Sequence, residues 1–323
     1  MQFKHGAYYY VQNLGKGKRK WHFLSRNKRE ALMRYYSEFV GRSDDIATMG
    51  ALFDRYITDV ASKKAEKTYE NNLREIANLR KVFGAVNPND VTPVMIYRYL
   101  DKRGKKAVRG ANMEKSTLSG VLNFGIRCGA LAQNPCRDVK SLKEAKIKRD
   151  ISDEEFAAVR AMAPRMIACA MQLAYLTGLR QGDVLRLKLA DITAEGLLVI
   201  TKKTGAILLF EWTAELRACI EQIKALKRPI RGLNLFCSRS GTPYKPSGFK
   251  SIWQRTMIRA STTTEKRDAV ISRRFKFHDI RRKSAKDADK LYGREFARKL
   301  LGHKTQSMTA GYIGGAQQVK PLL

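Results

Sequence analysis

Two histidines, an arginine and a tyrosine lie near the C-terminus in a spacing suited to phosphate chemistry. His278 and Arg281 stand three apart in His278-Asp279-Ile280-Arg281. His303 closes Leu300-Leu301-Gly302-His303, and Tyr312 follows nine residues later, just after Gly311. Positions three apart share one helical face, so His278 and Arg281 can donate together to two non-bridging phosphate oxygens. A tyrosine hydroxyl surrounded by arginine and histidine is suited to attack that phosphate. Upstream, Thr177-Gly178-Leu179-Arg180-Gln181-Gly182-Asp183 sets an arginine after a glycine turn at a helix start, with Asp183 one turn further on. A carboxylate there can orient a guanidinium or a neighbouring imidazole, and the helix N-terminus adds positive potential.

Each fragment is weak by itself. His-x-x-Arg is by default a capping histidine and a surface arginine. Gly-Leu-Arg followed by an acid is a common helix start with a surface ion pair. Leu-Gly-His can simply close a helix, and a late tyrosine can pack as an aromatic. Order and joint spacing carry the signal.

The composition names the partner class. Lys and Arg number 63 against 30 Asp and Glu, a formal charge of +33. Solubility needs far less, so the excess implies a polyanion. A membrane surface is the competing polyanion. However, no apolar run reaches the ~18 residues of a spanning helix, and the N-terminus lacks the apolar region of a signal peptide. The basic residues are also spread along the chain rather than gathered into one amphipathic face, which favours nucleic acid. Most of the charge then serves a salt-sensitive grip on phosphates rather than base readout. Cys128, Cys136, Cys169, Cys219 and Cys237 are scattered, with no CxxC pair and no zinc spacing. A reducing, cytoplasmic compartment follows, with no structural metal.

At 323 residues the chain exceeds one ordinary core, and two or three domains are expected. Residues 1–45 read as a small β-rich module. Ala7–Val11 and Lys20–Leu24 are strand-like around the basic turn Leu14-Gly15-Lys16-Gly17-Lys18-Arg19, and Asn27 opens a helix from Lys28. Such a sheet can present strands to a DNA groove, or it can be an ordinary α+β module. The residues leave both open. Gly41–Asp45 reads as a linker. Residues 46–135 read as a bundle of four helices, with Thr48 and Thr92-Pro93 as start signals and Gly84 as a stop. Lys102, Arg103, Lys105, Lys106 and Arg109 fall in an expected loop between the last two helices and are candidate phosphate contacts. Residues 136–150 read as a polar linker. The last domain, 151–323, opens on the capping box Ser152-Asp153-Glu154-Glu155. It alternates helices with a hairpin of Leu197–Ile200 and Ala206–Phe210 around Lys202-Lys203-Thr204-Gly205.

Arg180 with Asp183, the lysine hairpin, His278 with Arg281, then His303 nine residues before Tyr312, is an ordered set that strongly resembles the tyrosine recombinases, in particular phage-type integrases. The likeness is at motif level over 151–323 and looser upstream. It implies a multidomain α/β chain. A small β-rich N-terminal module would bind arm-type DNA, a helical bundle would bind core DNA, and the catalytic domain would be mainly α with a small sheet, the last two clamping the duplex. Carried over by position, Arg180 and Arg281 would hold the scissile phosphate, and His278 and His303 would complete the pocket. Tyr312 would be the nucleophile. Lys203 would be the hairpin lysine, matching the Lys-Thr-Gly pattern better than Lys202. Asp183 stands where the family often has Glu.

The resemblance implies breakage and rejoining of DNA through a 3′-phosphotyrosine, with no metal and no cofactor. Tyrosine loses its proton near pH 10 in water, so His278 would take the proton while the arginines stabilise the phenolate. Arg180, Arg281 and His303 would meet the developing phosphorane charge, and Lys203 would protonate the departing 5′ oxygen. Four protomers on two duplexes, with accessory DNA-bending or directionality proteins as further partners, would integrate and excise a mobile element. The residues after Tyr312 would dock on a neighbouring protomer or fray. A type IB topoisomerase-like enzyme and a non-catalytic DNA-binding regulator are the alternative readings.

Overall fold

A computed structural model describes residues 1–13, 19–39, 46–144, 149–227, 230, 232–263 and 268–313, with backbone alone at 13, 33, 36, 37 and 39. The chain divides into two compact units, Met1–Lys146 and Ile147–Leu323.

The first unit begins with an antiparallel sheet of β1 (Gln2–Lys4), β2 (Ala7–Asn13) and β3 (Arg19–Ser25), in that order. Strand β1 is too short to show an alternating pattern, and it exists because Phe3 and Lys4 pair with Tyr8 and Ala7 across a tight turn. Helix α1 (Lys28–Phe39) starts where the Asn27 side chain accepts from the Arg29 backbone N–H at 2.8 Å. The sheet meets it through Tyr10 against Tyr35 and leaves Trp21 and Phe23 exposed on its other face. Arg19 is exposed at the start of β3. Lys16, Lys18 and the expected linker at 41–45 lie outside the described residues.

The bundle comprises α2 (Met49–Asp59), α3 (Glu66–Phe83) and α4 (Pro93–Arg127). Thr48 and Thr92 cap their helices through side-chain oxygens, and Gly84 ends α3. The expected loop around 102–109 is instead helical. Helix α4 runs through it, bent at Ala107 (φ −161°, ψ 88°). The cause is a buried carboxylate beyond the bend. Glu114 receives Tyr99 Oη at 2.7 Å, Asn78 at 2.8 Å and Arg103 Nε at 3.0 Å. A buried carboxylate stripped of such donors is costly, so this network holds the two halves of α4 together where composition alone suggests a loop. Arg103 is thereby paired with Glu114 at the edge of the bundle, its side chain still partly exposed. Lys102, Lys105, Lys106 and Arg109 remain exposed.

Residues 136–144, expected as free linker, lie against the bundle. Cys136 and Val139 are buried in its core, Leu142 packs on it, and Asn112 bonds the Leu142 backbone in both directions. Three apolar side chains at a spacing of three suffice for this docking, too few to register as a periodic element.

The second unit opens with α5 (Asp153–Met162), whose Ser152–Glu155 capping box is formed in full. Helices α6 (Arg165–Thr177) and α7 (Gln181–Val184) lead to the hairpin β4 (Gly196–Ile200) and β5 (Ile207–Glu211). Then follow α8 (Ala214–Lys224), α9 (Pro246–Ala260), α10 (Phe277–Tyr292), α11 (Arg294–Leu300) and α12 (Gln306–Ile313). One core gathers Leu173, Val184, Leu197, Phe236, Phe249 and Ile280. A smaller one joins α10, α11 and α12 through Ala285, Ala288, Ala297, Leu301 and Ile313, with Tyr312 packed against it. The tail 314–323 lies outside the described residues. No helix among the described residues is long and apolar enough to cross a membrane.

Candidate active site

Two glycine turns aim the reactive groups. Gly178 ends α6 in the left-handed region (φ 62°), where a side chain would be strained and its Cβ would lie 3.0 Å from Leu301. The turn leaves the Gly178 carbonyl free to accept from Arg281 and carries the chain to Arg180, which flanks α7 in an extended conformation. Gly302 (φ 61°) likewise ends the helical run of α11 and turns His303 into the protein, where it is 5% exposed.

Arg281 is the hub. It is 2% exposed. Its Nη1 donates to Gly178 O at 2.5 Å, and its Nη2 lies 2.9 Å from Leu301 O and 3.1 Å from His303 Nε2. The Tyr312 ring sits over the guanidinium, 5.4 Å from centroid to carbon. Arg281 Nε is buried with no hydrogen-bond partner among the described residues. Burial first, and then the charge of Arg180, hold this guanidinium below its ordinary basicity. Arg180 itself has no side-chain hydrogen bond or ion pair among the described residues, so its donors are unspent.

Tyr312 Oη lies 3.3 Å from His278 Nε2, on rings whose centroids are 5.9 Å apart. Burial among neighbours, followed by the charge of Arg281, moves the His278 pKa below its usual 6.5. Asp279 opposes this, and Arg180 and Lys203 add to it. The shift favours the neutral imidazole, which can accept the tyrosine proton, although the ring keeps access to solvent. His303 is driven further down, to about 4, by burial first and then by Arg281 and Arg180.

A pH dependence follows from these signs. If His278 must be neutral to take the proton, single-turnover cleavage is expected to be flat from pH 8 to about 6.5 and to fall as His278 protonates below that value. A midpoint above pH 6.5 would contradict His278 as the acceptor.

Asp183, whose charge is felt at the Arg281 guanidinium, also has a second task. It is 4% exposed, and its Oδ1 accepts from the Lys202 backbone N–H at 2.9 Å. The carboxylate thus ties the β4–β5 turn to α7 and fixes the base of the lysine loop. Lys202 and Lys203 are both exposed. The Lys203 charge is felt at His278, which favours Lys203 as the residue facing the site.

Two supports were not visible in the motifs. Thr309, fully buried, brings Oγ1 to 3.0 Å from His303 Nδ1. Its only signal in the sequence is its place one helical turn before Tyr312. The far side of α10 is anchored by Lys283, 6% exposed, which pairs with Asp153 and Asp287, while Tyr175 Oη donates to Asp287 at 2.8 Å. Asp150 adds pairs to Arg282 and Lys286. These contacts hold the helix bearing His278 and Arg281 against the start of the unit.

Arg180, Asp183, Lys203, His278, Arg281, His303 and Tyr312 thus fall in one region of the second unit, all from one chain. In sequence and in fold the chain is similar to known proteins. The integrase of Enterobacteria phage 434 is 28% identical over 282 residues, covering 84% of this chain and 77% of that protein. The integrase of Escherichia phage HK022 is 26% identical over 302 residues, covering 90% and 80%. The fold is similar to that of lambda integrase, solved as a tetramer bound to a Holliday junction, with a TM-score of 0.71 and 23% identity over 98% of this chain and 95% of that one. Residues 152–318, which hold every group of the site, match the phage integrase family. The chain belongs to that family.

Proposed function

We propose that Tyr312 is the nucleophile with which this site-specific tyrosine recombinase breaks and rejoins double-stranded DNA. The observation that carries the assignment is a tyrosine hydroxyl within reach of an imidazole, with its ring over a buried guanidinium, in a cluster of cations with surplus donors. Among the described residues Arg180 makes no side-chain hydrogen bond and Arg281 Nε has no acceptor, while Asp183 Oδ1 accepts a backbone N–H. Such a cluster calls for an anion.

In the proposed reaction the Tyr312 hydroxyl gives its proton to His278 Nε2 as its oxygen bonds to phosphorus. The phosphorane charge is met by Arg180 and Arg281. The bond from phosphorus to the 5′ oxygen breaks, and Lys203 supplies a proton to that oxygen. A 3′-phosphotyrosine and a free 5′-hydroxyl remain, and the phosphodiester energy is kept in the covalent bond. Attack by a 5′-hydroxyl reverses the step and rejoins the strand. His303 meets the phosphate as a donor only in the tautomer opposite to the one it adopts against Arg281.

Residues 1–45 would grip arm-type DNA through Lys16, Lys18 and Arg19, and residues 46–135 would grip core DNA through Lys102, Lys105, Lys106 and Arg109. Residues 136–150 would join them to the catalytic domain, 151–323. The working form would be four protomers exchanging strands between two duplexes through a Holliday junction, an assembly supported by the lambda integrase tetramer. Its place would be the bacterial cytoplasm, where that DNA lies. The element integrated or excised, and any DNA-bending partner, would be specified by the DNA.

The test is strand exchange between two duplexes carrying the junction sequence of the element. The expected result is recombinant product with no ATP added. Relaxation of supercoils without recombinants would instead favour a topoisomerase.

A further inference from the structure

We propose that Thr309 is a positioning residue that sets the tautomer of His303 and thereby joins the seating of the tyrosine helix to the arginine clamp. This rests on the reading of Tyr312 as nucleophile and adds a residue to it.

The tautomer follows from donor counting. A guanidinium has donors and no acceptor. The 3.1 Å contact between Arg281 Nη2 and His303 Nε2 therefore requires a lone pair on Nε2. The neutral imidazole must then carry its proton on Nδ1. That N–H points to Thr309 Oγ1, 3.0 Å away, in a pocket where both His303 and Thr309 are buried. Thr309 and Tyr312 stand three apart on α12 and so share a face. The His303 ring in turn lies 5.3 Å from the Tyr312 ring. One chain of contacts therefore runs from α12 through Thr309 and His303 to Arg281, and Arg281 returns to Tyr312 by stacking.

Removing the hydroxyl leaves two outcomes. Either Nδ1–H stays and is buried without an acceptor, or the proton moves to Nε2 and faces an arginine donor. Both loosen Arg281. Because a threonine hydroxyl can donate as well as accept, it also permits the opposite tautomer once a phosphate draws Arg281 away. A valine would not.

The test uses the full chain as wild type, Thr309→Val and Thr309→Ser. The His303 tautomer is read by nitrogen NMR of the imidazole in the DNA-free protein. The rate of covalent adduct formation is read on a nicked duplex built on the junction sequence of the element. The Nδ1–H form is expected in wild type and Thr309→Ser, and it is lost or depleted in Thr309→Val. The adduct should form about tenfold more slowly in Thr309→Val, the scale of one net hydrogen bond, and Thr309→Ser should restore most of that rate. An Nε2–H imidazole in the wild type overturns the proposal without any variant having to fold. So does a Thr309→Ser chain as slow as Thr309→Val, which would make the methyl packing responsible. Absence of an adduct at Tyr312 in the wild type would refute the nucleophile reading instead, leaving the tautomer result to stand or fall on the NMR.

Discussion

Tyr312→Phe is expected to form no covalent protein–DNA adduct while keeping its grip on DNA. The change removes only the hydroxyl. The ring that packs against the small core of α10, α11 and α12 and stacks over Arg281 is kept, so fold and pocket should persist. What disappears is the atom 3.3 Å from His278 that would bond to phosphorus. Loss of a nucleophile has cost about 10⁶-fold in an enzyme where it was measured, which here would put the adduct below detection. DNA affinity should barely move, because it rests on many exposed lysines and arginines. The measurement is denaturing electrophoresis after incubation with a nicked duplex, beside a binding titration at matched salt, since phosphate contacts make affinity steeply salt-dependent. An adduct formed at undiminished yield by Tyr312→Phe would move the nucleophile elsewhere.

The second large effect separates the two arginines. Arg281→Ala should lose both activity and stability, and Arg180→Ala activity alone. Arg281 satisfies the Gly178 and Leu301 carbonyls and His303 Nε2 at once. A buried acceptor left unpaired costs about 1–3 kcal/mol. Two or three such losses, with a cavity added, are a large fraction of the ~5–15 kcal/mol that holds a domain folded. The Arg180 side chain holds no partner among the described residues, so its removal is expected to spare the melting temperature. Either change should slow cleavage by at least about 10²-fold, the scale of one preorganised donor at a developing charge. Arg281→Lys should keep the charge yet fail, because one ammonium cannot span three acceptors in the plane of a guanidinium. Thermal melts and single-turnover cleavage on the same preparations decide the matter. Equal melting losses in both alanine variants would contradict the division of roles.

Much of this enzyme was legible from short-range pattern. The caps at Thr48, Thr92 and Ser152 obey rules reaching three residues along the chain, and the structure forms each of them. The hairpin around Lys202-Lys203-Thr204-Gly205 was legible because its strands are apolar and its turn is not. Where the reading failed, a long-range contact had overruled local composition. The basic stretch at 102–109 is helix because Glu114, buried in the bundle, reaches back to Arg103. The linker at 136–144 is docked because Cys136 and Val139 find the bundle core.

The candidate site divides along the same line. The amino-acid sequence by itself determined which reactive groups exist, their order, the +33 charge that calls for DNA, and the nine residues from His303 to Tyr312. The tertiary structure alone decided what each group touches. It joined Gly178 to Arg281 across 103 residues, tied Asp183 to the base of the lysine loop, and set Thr309 against His303. The physical reason is reach. Helical and turn preferences act over three or four residues, whereas a buried guanidinium selects its acceptors from whatever carbonyls the packed core leaves unpaired nearby.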